Sequence, residues 1–90
     1  MYCVGSIVKA EAGREKGEVM AVIAVDGEYL LLADGRRRKH DKPKRKKARH
    51  VSLISEKEEL PLPLRDIQIR HLLSRFTEKE ESEFVKRGSH

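Results

Sequence analysis

After Glu18, the stretch Val19-Met20-Ala21-Val22-Ile23-Ala24-Val25 is apolar at odd and even positions alike. Three valines and an isoleucine in so short a run favour a strand over a helix, because β-branched side chains suit extended backbone. A strand apolar on both faces needs cover on both, as in a strand that curls through a small barrel. The chain has 90 residues, so there is material for one thin core and little else. At that size folding buries only about 60–65% of the surface of the unfolded chain.

The segments around this run extend the pattern. Residues 4–10 read as a short strand, with Val8 and Ala10 on one face and Ile7 on the other. Residues 11–17 hold Gly13 and Gly17 around Arg14-Glu15-Lys16 and read as a loop. Asp26-Gly27 predicts a tight hairpin turn, with Tyr29-Leu30-Leu31-Leu32-Ala33 as the return strand. Asp34-Gly35 is a second pair of the same kind, so a third strand is expected to start at Arg36-Arg37-Arg38-Lys39. Pro43 cannot donate to a ladder, which makes 41–48 an exposed loop before a last strand at Val51-Ser52-Leu53-Ile54. Gly13, Gly17, Gly27 and Gly35 are the expected turn glycines. About five short strands with tight turns suit a small, strongly bent antiparallel barrel.

The period changes near the C-terminus. Leu60-Pro61-Leu62-Pro63 closes a linker over 55–63, where the prolines bar a helix. Ile69, Leu72, Leu73 and Phe76 then fall on one helical face, with Asp66 near the helix start, where a carboxylate favours the dipole. Thr77 and Glu80 form a capping-box pattern, which predicts a break and a second short helix over 78–86 carrying a Glu83/Arg87 pair. The expected organisation is a barrel over 1–54, a linker over 55–63 and a helical extension over 64–87.

Charge is the second strong signal. Residues 36–50 hold 10 of the chain's 20 Lys and Arg against the single acid Asp41, a local charge of +9 on a chain whose net charge is +5. Such density repels itself unless a polyanion neutralises it, and counterion release makes nucleic acid the natural partner. Blocking edge-to-edge aggregation is the plainer use of edge lysines, but it needs one or two of them. The mix of Arg and Lys suits backbone tracking rather than base reading. The chain has no Trp, and Tyr2, Tyr29, Phe76 and Phe84 are its only aromatics, which is poor material for a stacking platform.

Other chemistry finds little support in the residues. Cys3 is the sole cysteine, so no intramolecular disulfide is available; it reads as a small residue near a strand start. The four histidines, His40, His50, His71 and His90, do not fall at metal-ligand spacings; His40 and His50 would edge the basic patch. No nucleophile elbow, phosphate loop or catalytic triad pattern occurs. Neither a membrane span nor a secretory signal pattern is visible, so the expected location is the cytoplasm. No enzyme activity, cofactor or small-molecule substrate is expected.

The N-terminal half resembles the KOW motif. The match runs from Val4-Gly5-Ser6-Ile7-Val8-Lys9, through the glycine–basic–acidic–lysine–glycine loop Gly13-Arg14-Glu15-Lys16-Gly17, to the apolar strand Val19–Val25. It continues through Leu32-Ala33-Asp34-Gly35-Arg36-Arg37-Arg38 and Lys42-Pro43-Lys44-Arg45-Lys46-Lys47-Ala48-Arg49-His50, and is similar to KOW-type large-subunit ribosomal proteins of the fourteen-e class. The resemblance covers about residues 3–54. It implies an SH3-like barrel that binds RNA, ribosomal RNA above all, with ribosomal proteins or transcription machinery as further partners. The residues expected to contact RNA are Arg14, Lys16, Arg36, Arg37, Arg38, Lys39, Lys42, Lys44, Arg45, Lys46, Lys47, Arg49 and His50. The alternative is a protein-interaction module whose basic loop meets an acidic partner.

Overall fold

The computed structural model describes the backbone of residues 1–88 and the side chains of residues 1–77. Five strands form one antiparallel sheet: β1 (Ile7–Ala10), β2 (Val19–Asp26), β3 (Tyr29–Ala33), β4 (Lys44–Lys47) and β5 (Val51–Ser55). Their order is β4-β3-β2-β1-β5. A single helix, α1 (Asp66–Gly88), follows.

The sheet cannot be flat. All pairings are antiparallel, so the two edge strands, β4 and β5, run the same way. In a flat sheet their axes would lie about 19 Å apart, with the end of β4 and the start of β5 at opposite ends. Only the 3-residue 3₁₀ turn Ala48–His50 joins them, and four Cα steps span at most about 15 Å. The sheet therefore coils until its edges approach. Register shifts at Val22/Ala24 and Ile7/Val8 help it bend.

Coiling gives the sheet two apolar faces with different cover. Val8, Met20, Val22, Leu30, Leu32 and Val51 fill the concave side, with Tyr2 and Ala48 against them. Ile7, Ala21 and Ala33 point the other way and meet Ile69 and Leu73 of α1, with Leu72 and Phe76 packed alongside. The double apolar character of residues 19–23 is thus explained half by coiling and half by the helix. The expected helical stripe is the part of α1 that packs on the sheet.

Several boundaries differ from expectation. Gly5 has φ +100°, outside strand conformation, so β1 begins at Ile7 rather than at residue 4. Asp26 pairs with Tyr29 as the last rung, and the two-residue turn is Gly27-Glu28. Positive φ occurs there at Gly27 alone, the pattern of a hairpin turn with glycine in its first position. Asp34-Gly35 is not a second hairpin. It opens a loop in which the N–H groups of Asp34 and Gly35 both donate to the Arg38 carbonyl, so no strand starts at residue 36. β4 occupies Lys44–Lys47 instead, where an exposed loop was expected. Pro43 is no obstacle, because it stands just before the first rung and owes no N–H to it.

Helix α1 runs through Thr77 without a break. The Thr77 hydroxyl donates to the Leu73 carbonyl at 3.3 Å, the bond of a threonine inside a helix rather than at its cap. The Glu80, Glu83 and Arg87 side chains lie outside the described residues. Residues 56–65 have no regular structure but are tied down. Glu58 N–H donates to the Gly5 carbonyl at 2.8 Å, and the Ser6 hydroxyl to the Glu56 carbonyl at 2.7 Å. Cys3 is exposed, with its thiol 3.6 Å from that same Glu56 carbonyl. No helix among the described residues is long and apolar enough to cross a membrane.

Candidate nucleic-acid interface

Strand alternation divides the basic residues of β4 between two faces. Lys44 and Lys46 lie opposite Leu32 and Leu30, on the concave side; Arg45 and Lys47 lie opposite Leu31 and Tyr29, on the convex side. The cations of β4 are therefore divided between the two sides of the sheet.

Lys46 is buried, with 8% of its side chain exposed. Its ammonium donates to the Ala12 carbonyl at 3.0 Å and lies 3.5 Å from Glu15 Oε1. Glu15 Oε2 accepts a bond from the Arg38 guanidinium at 2.9 Å. The expected RNA contact at Lys46 is thus an internal one: its charge answers a buried carboxylate. The Arg38 hydrogen bond holds the Glu15 carboxyl below the usual glutamate value of 4.5, against the opposing effect of burial. The charges of Lys44, Arg38 and Lys46 add to the lowering.

On the convex face, the Arg45 guanidinium stacks 4.0 Å above the Tyr29 ring and lies 3.6 Å from Asp26. Lys47 lies 5.7 Å from the same ring and 3.6 Å from Glu28. Both acids are largely exposed, so these pairs add little stability.

The loop 34–43 is held differently. Asp34 Oδ1 accepts the N–H groups of Arg36 at 2.8 Å and Arg38 at 2.9 Å. Asp66, the first residue of α1, accepts the His40 N–H at 2.7 Å, and this bond holds its carboxyl below the usual 3.8. Gly35 is buried with φ +78°, and a Cβ there would meet the Asp66 carbonyl and, at 2.9 Å, Arg70 Cγ. Arg70 in turn donates to the Gly35 carbonyl at 2.8 Å. The C-terminal helix thus fixes the turn that launches the basic loop, a role the sequence did not assign it. His40 is part of this joint rather than a margin of the patch, with Nδ1 3.2 Å from Asp66 Oδ2 but off hydrogen-bonding geometry.

Of the ten cations of 36–50, Arg38, Arg45, Lys46 and Lys47 form ion pairs among the described residues, and Arg36, Arg37, Lys39, Lys42, Lys44 and Arg49 form none. Arg14 and Lys16 are exposed on either side of Glu15. Because Glu15 bonds Arg38 and meets Lys46, the loop 11–17 is drawn against both the 36–40 loop and β4. Glu11 N–H donates to the His50 carbonyl at 2.8 Å, which brings Arg49 and His50 to the base of the same loop. Gly13 and Gly17 both have positive φ, as their turn assignment requires.

Sequence reasoning missed Glu15. Its only signal was an acid standing between two cations inside a glycine-bounded loop. An apolar hollow of about 370 Å³ lies elsewhere, under the 57–64 segment beside Val4 and Ile23. The sequence matches no protein-family profile and no curated protein.

Proposed function

We propose that this chain is an RNA-binding module of the KOW kind: a small SH3-like barrel with a C-terminal helix that grips the phosphate backbone of structured RNA. Ribosomal RNA is the first candidate, and the setting is the cytoplasmic ribosome or its assembly. The coiled five-stranded order and the short 3₁₀ link between β4 and β5 support the barrel reading. The observation that carries the function is the group of cations with no ion pair among the described residues, Arg14, Lys16, Arg36, Arg37, Lys39 and Lys42, on two loops that meet at Glu15. Like charges assembled at the expense of a buried carboxylate make sense when a polyanion completes them. The module binds and does no chemistry on its ligand.

Salt dependence tests this reading. With about six phosphate contacts, log K against log salt should slope at about −4 to −5. Changing Arg36, Arg37, Lys39 and Lys42 together to Gln should reduce the slope to about −1 to −2 with the fold intact. A wild-type slope shallower than about −1 would remove RNA from the reading. Partners that stay bound after RNase treatment would favour an acidic protein instead.

A further inference from the structure

A carboxylate in the middle of an RNA-binding surface is expensive for affinity, since it cancels a cation that the ligand would otherwise meet. Glu15 nevertheless sits there, with only 6% of its side chain exposed. We propose that Glu15 is a positioning residue, and that it locks the cations of loops 11–17 and 34–43 into a rigid array that selects duplex RNA over flexible single strands. The inference rests on the RNA-binding reading above.

Rigidity is built from several directions. Glu15 joins the loop 11–17 to Arg38 on one side and to Lys46 of β4 on the other, and Lys46 also reaches the Ala12 carbonyl. Asp34 and Asp66 take backbone N–H groups of Arg36, Arg38 and His40. Each of these three carboxylates thus fixes the frame that carries the unpaired cations. A duplex presents phosphates at fixed spacings, so loops whose backbone is already fixed meet it without the cost of ordering that backbone. A flexible single strand must itself be ordered on a fixed array, so it gains less from that rigidity than a duplex does.

The aromatic rings point the same way. Single-strand binding draws about 1–3 kcal/mol per stacked base. Among the described residues no Tyr or Phe ring is free for this. Tyr2 packs on the concave core and donates to the Val51 carbonyl. Tyr29 lies under Arg45, and Phe76 packs against the second core with Arg75 at 5.6 Å.

The test compares two probes of equal phosphate count: an RNA hairpin with a stem of about 16 base pairs and an oligouridine. Wild type should prefer the hairpin by about tenfold, and Glu15→Gln should reduce that preference to about twofold. Oligouridine affinity should hold or rise, because the variant is one charge more positive. A role in stability alone would lower the folded fraction and leave the ratio unchanged.

If Glu15→Gln does not fold, Glu15→Gln with Lys46→Met serves. It keeps the net charge and replaces a buried pair by neutral groups of similar volume. A ratio unchanged in a folded variant overturns the proposal, as does loss of fold in both. Equal wild-type affinity for the two probes overturns it while the RNA reading stands. Binding of neither probe ends the RNA reading itself.

Discussion

The two halves of the basic run have nearly the same composition and opposite uses. Arg36 to Lys42 lies in a loop whose backbone is pinned by Asp34 and Asp66, while most of its cations form no ion pair among the described residues. Lys44–Lys47 lies in an edge strand, where Lys46 is buried against Glu15, Arg45 covers Tyr29 and Lys47 meets Glu28. In the loop, acids bind the backbone and, Arg38 apart, leave the charges outward. In the strand, acids and an aromatic ring bind the charges of Arg45, Lys46 and Lys47, and Lys44 alone forms no ion pair among the described residues. A run of lysines and arginines is therefore not one functional object; backbone geometry decides which of its charges are offered to a ligand.

Single substitutions should separate the halves most strongly in stability. Lys46→Ala removes a buried cation, its bond to the Ala12 carbonyl and the stem packed opposite Leu30. The expected loss is about 2–3 kcal/mol, below the full cost of orphaning a buried charge because Arg38 still holds Glu15. Arg36→Gln and Arg37→Gln should each stay within about 0.5 kcal/mol of wild type. Urea midpoints at neutral pH measure all three. Equal effects at Lys46 and Arg36 would erase the distinction between strand and loop.

Much of this architecture is legible in the residues, and the failures have physical causes. The strands near residues 7–10, 19–26, 29–33 and 51–55 follow from apolar runs bounded by turn residues, and helix α1 follows from Ile69, Leu72, Leu73 and Phe76. β4 was hidden because Pro43 reads as a break in the ladder; it stands one residue before the first rung, and Lys44–Lys47 pair in continuous register with Leu32–Tyr29. Asp34-Gly35 misled because an aspartate accepting two downstream N–H groups and an Asp-Gly hairpin share a sequence. Here the approach of α1 decides between them, since Gly35 is buried against Asp66 and Arg70. The apparent break at Thr77 failed for a related reason: a threonine four residues after Leu73 can bond backward within a helix as easily as cap one.

Acid should reveal the same division with a smaller effect. The folded-state values of Glu15 and Asp66 both lie below their ordinary 4.5 and 3.8. Each carboxylate therefore adds stability that is fully present above its ordinary value and is lost as pH falls through the depressed one. The urea midpoint should be flat from about pH 7 to 5 and decline below about pH 4.5. Glu15→Gln should start lower and decline less. Asp66→Asn should stay closer to wild type at neutral pH, because an amide oxygen still accepts the His40 N–H. A Glu15→Gln curve parallel to wild type through the acid range would show that Glu15 carries no linked stability.

The finest test concerns Arg45, the most exposed of the paired strand cations. It has two partners, Tyr29 at 4.0 Å from the ring centre and Asp26 at 3.6 Å. Asp26 is 73% exposed, so its contribution is screened and small. The ring should dominate, with a coupling of about 0.5–1 kcal/mol between Tyr29→Leu and Arg45→Gln in a double-mutant cycle. That coupling should survive added salt, whereas the Arg45/Asp26 coupling should fade. Because Arg45 sits on the convex face, away from Glu15, Tyr29→Leu should also leave unchanged the salt slope that the proposed RNA binding predicts. A slope that moves with Tyr29 would mean that the ligand reaches round the edge of β4, and that the strand's outer cations belong to the interface with those of the loop.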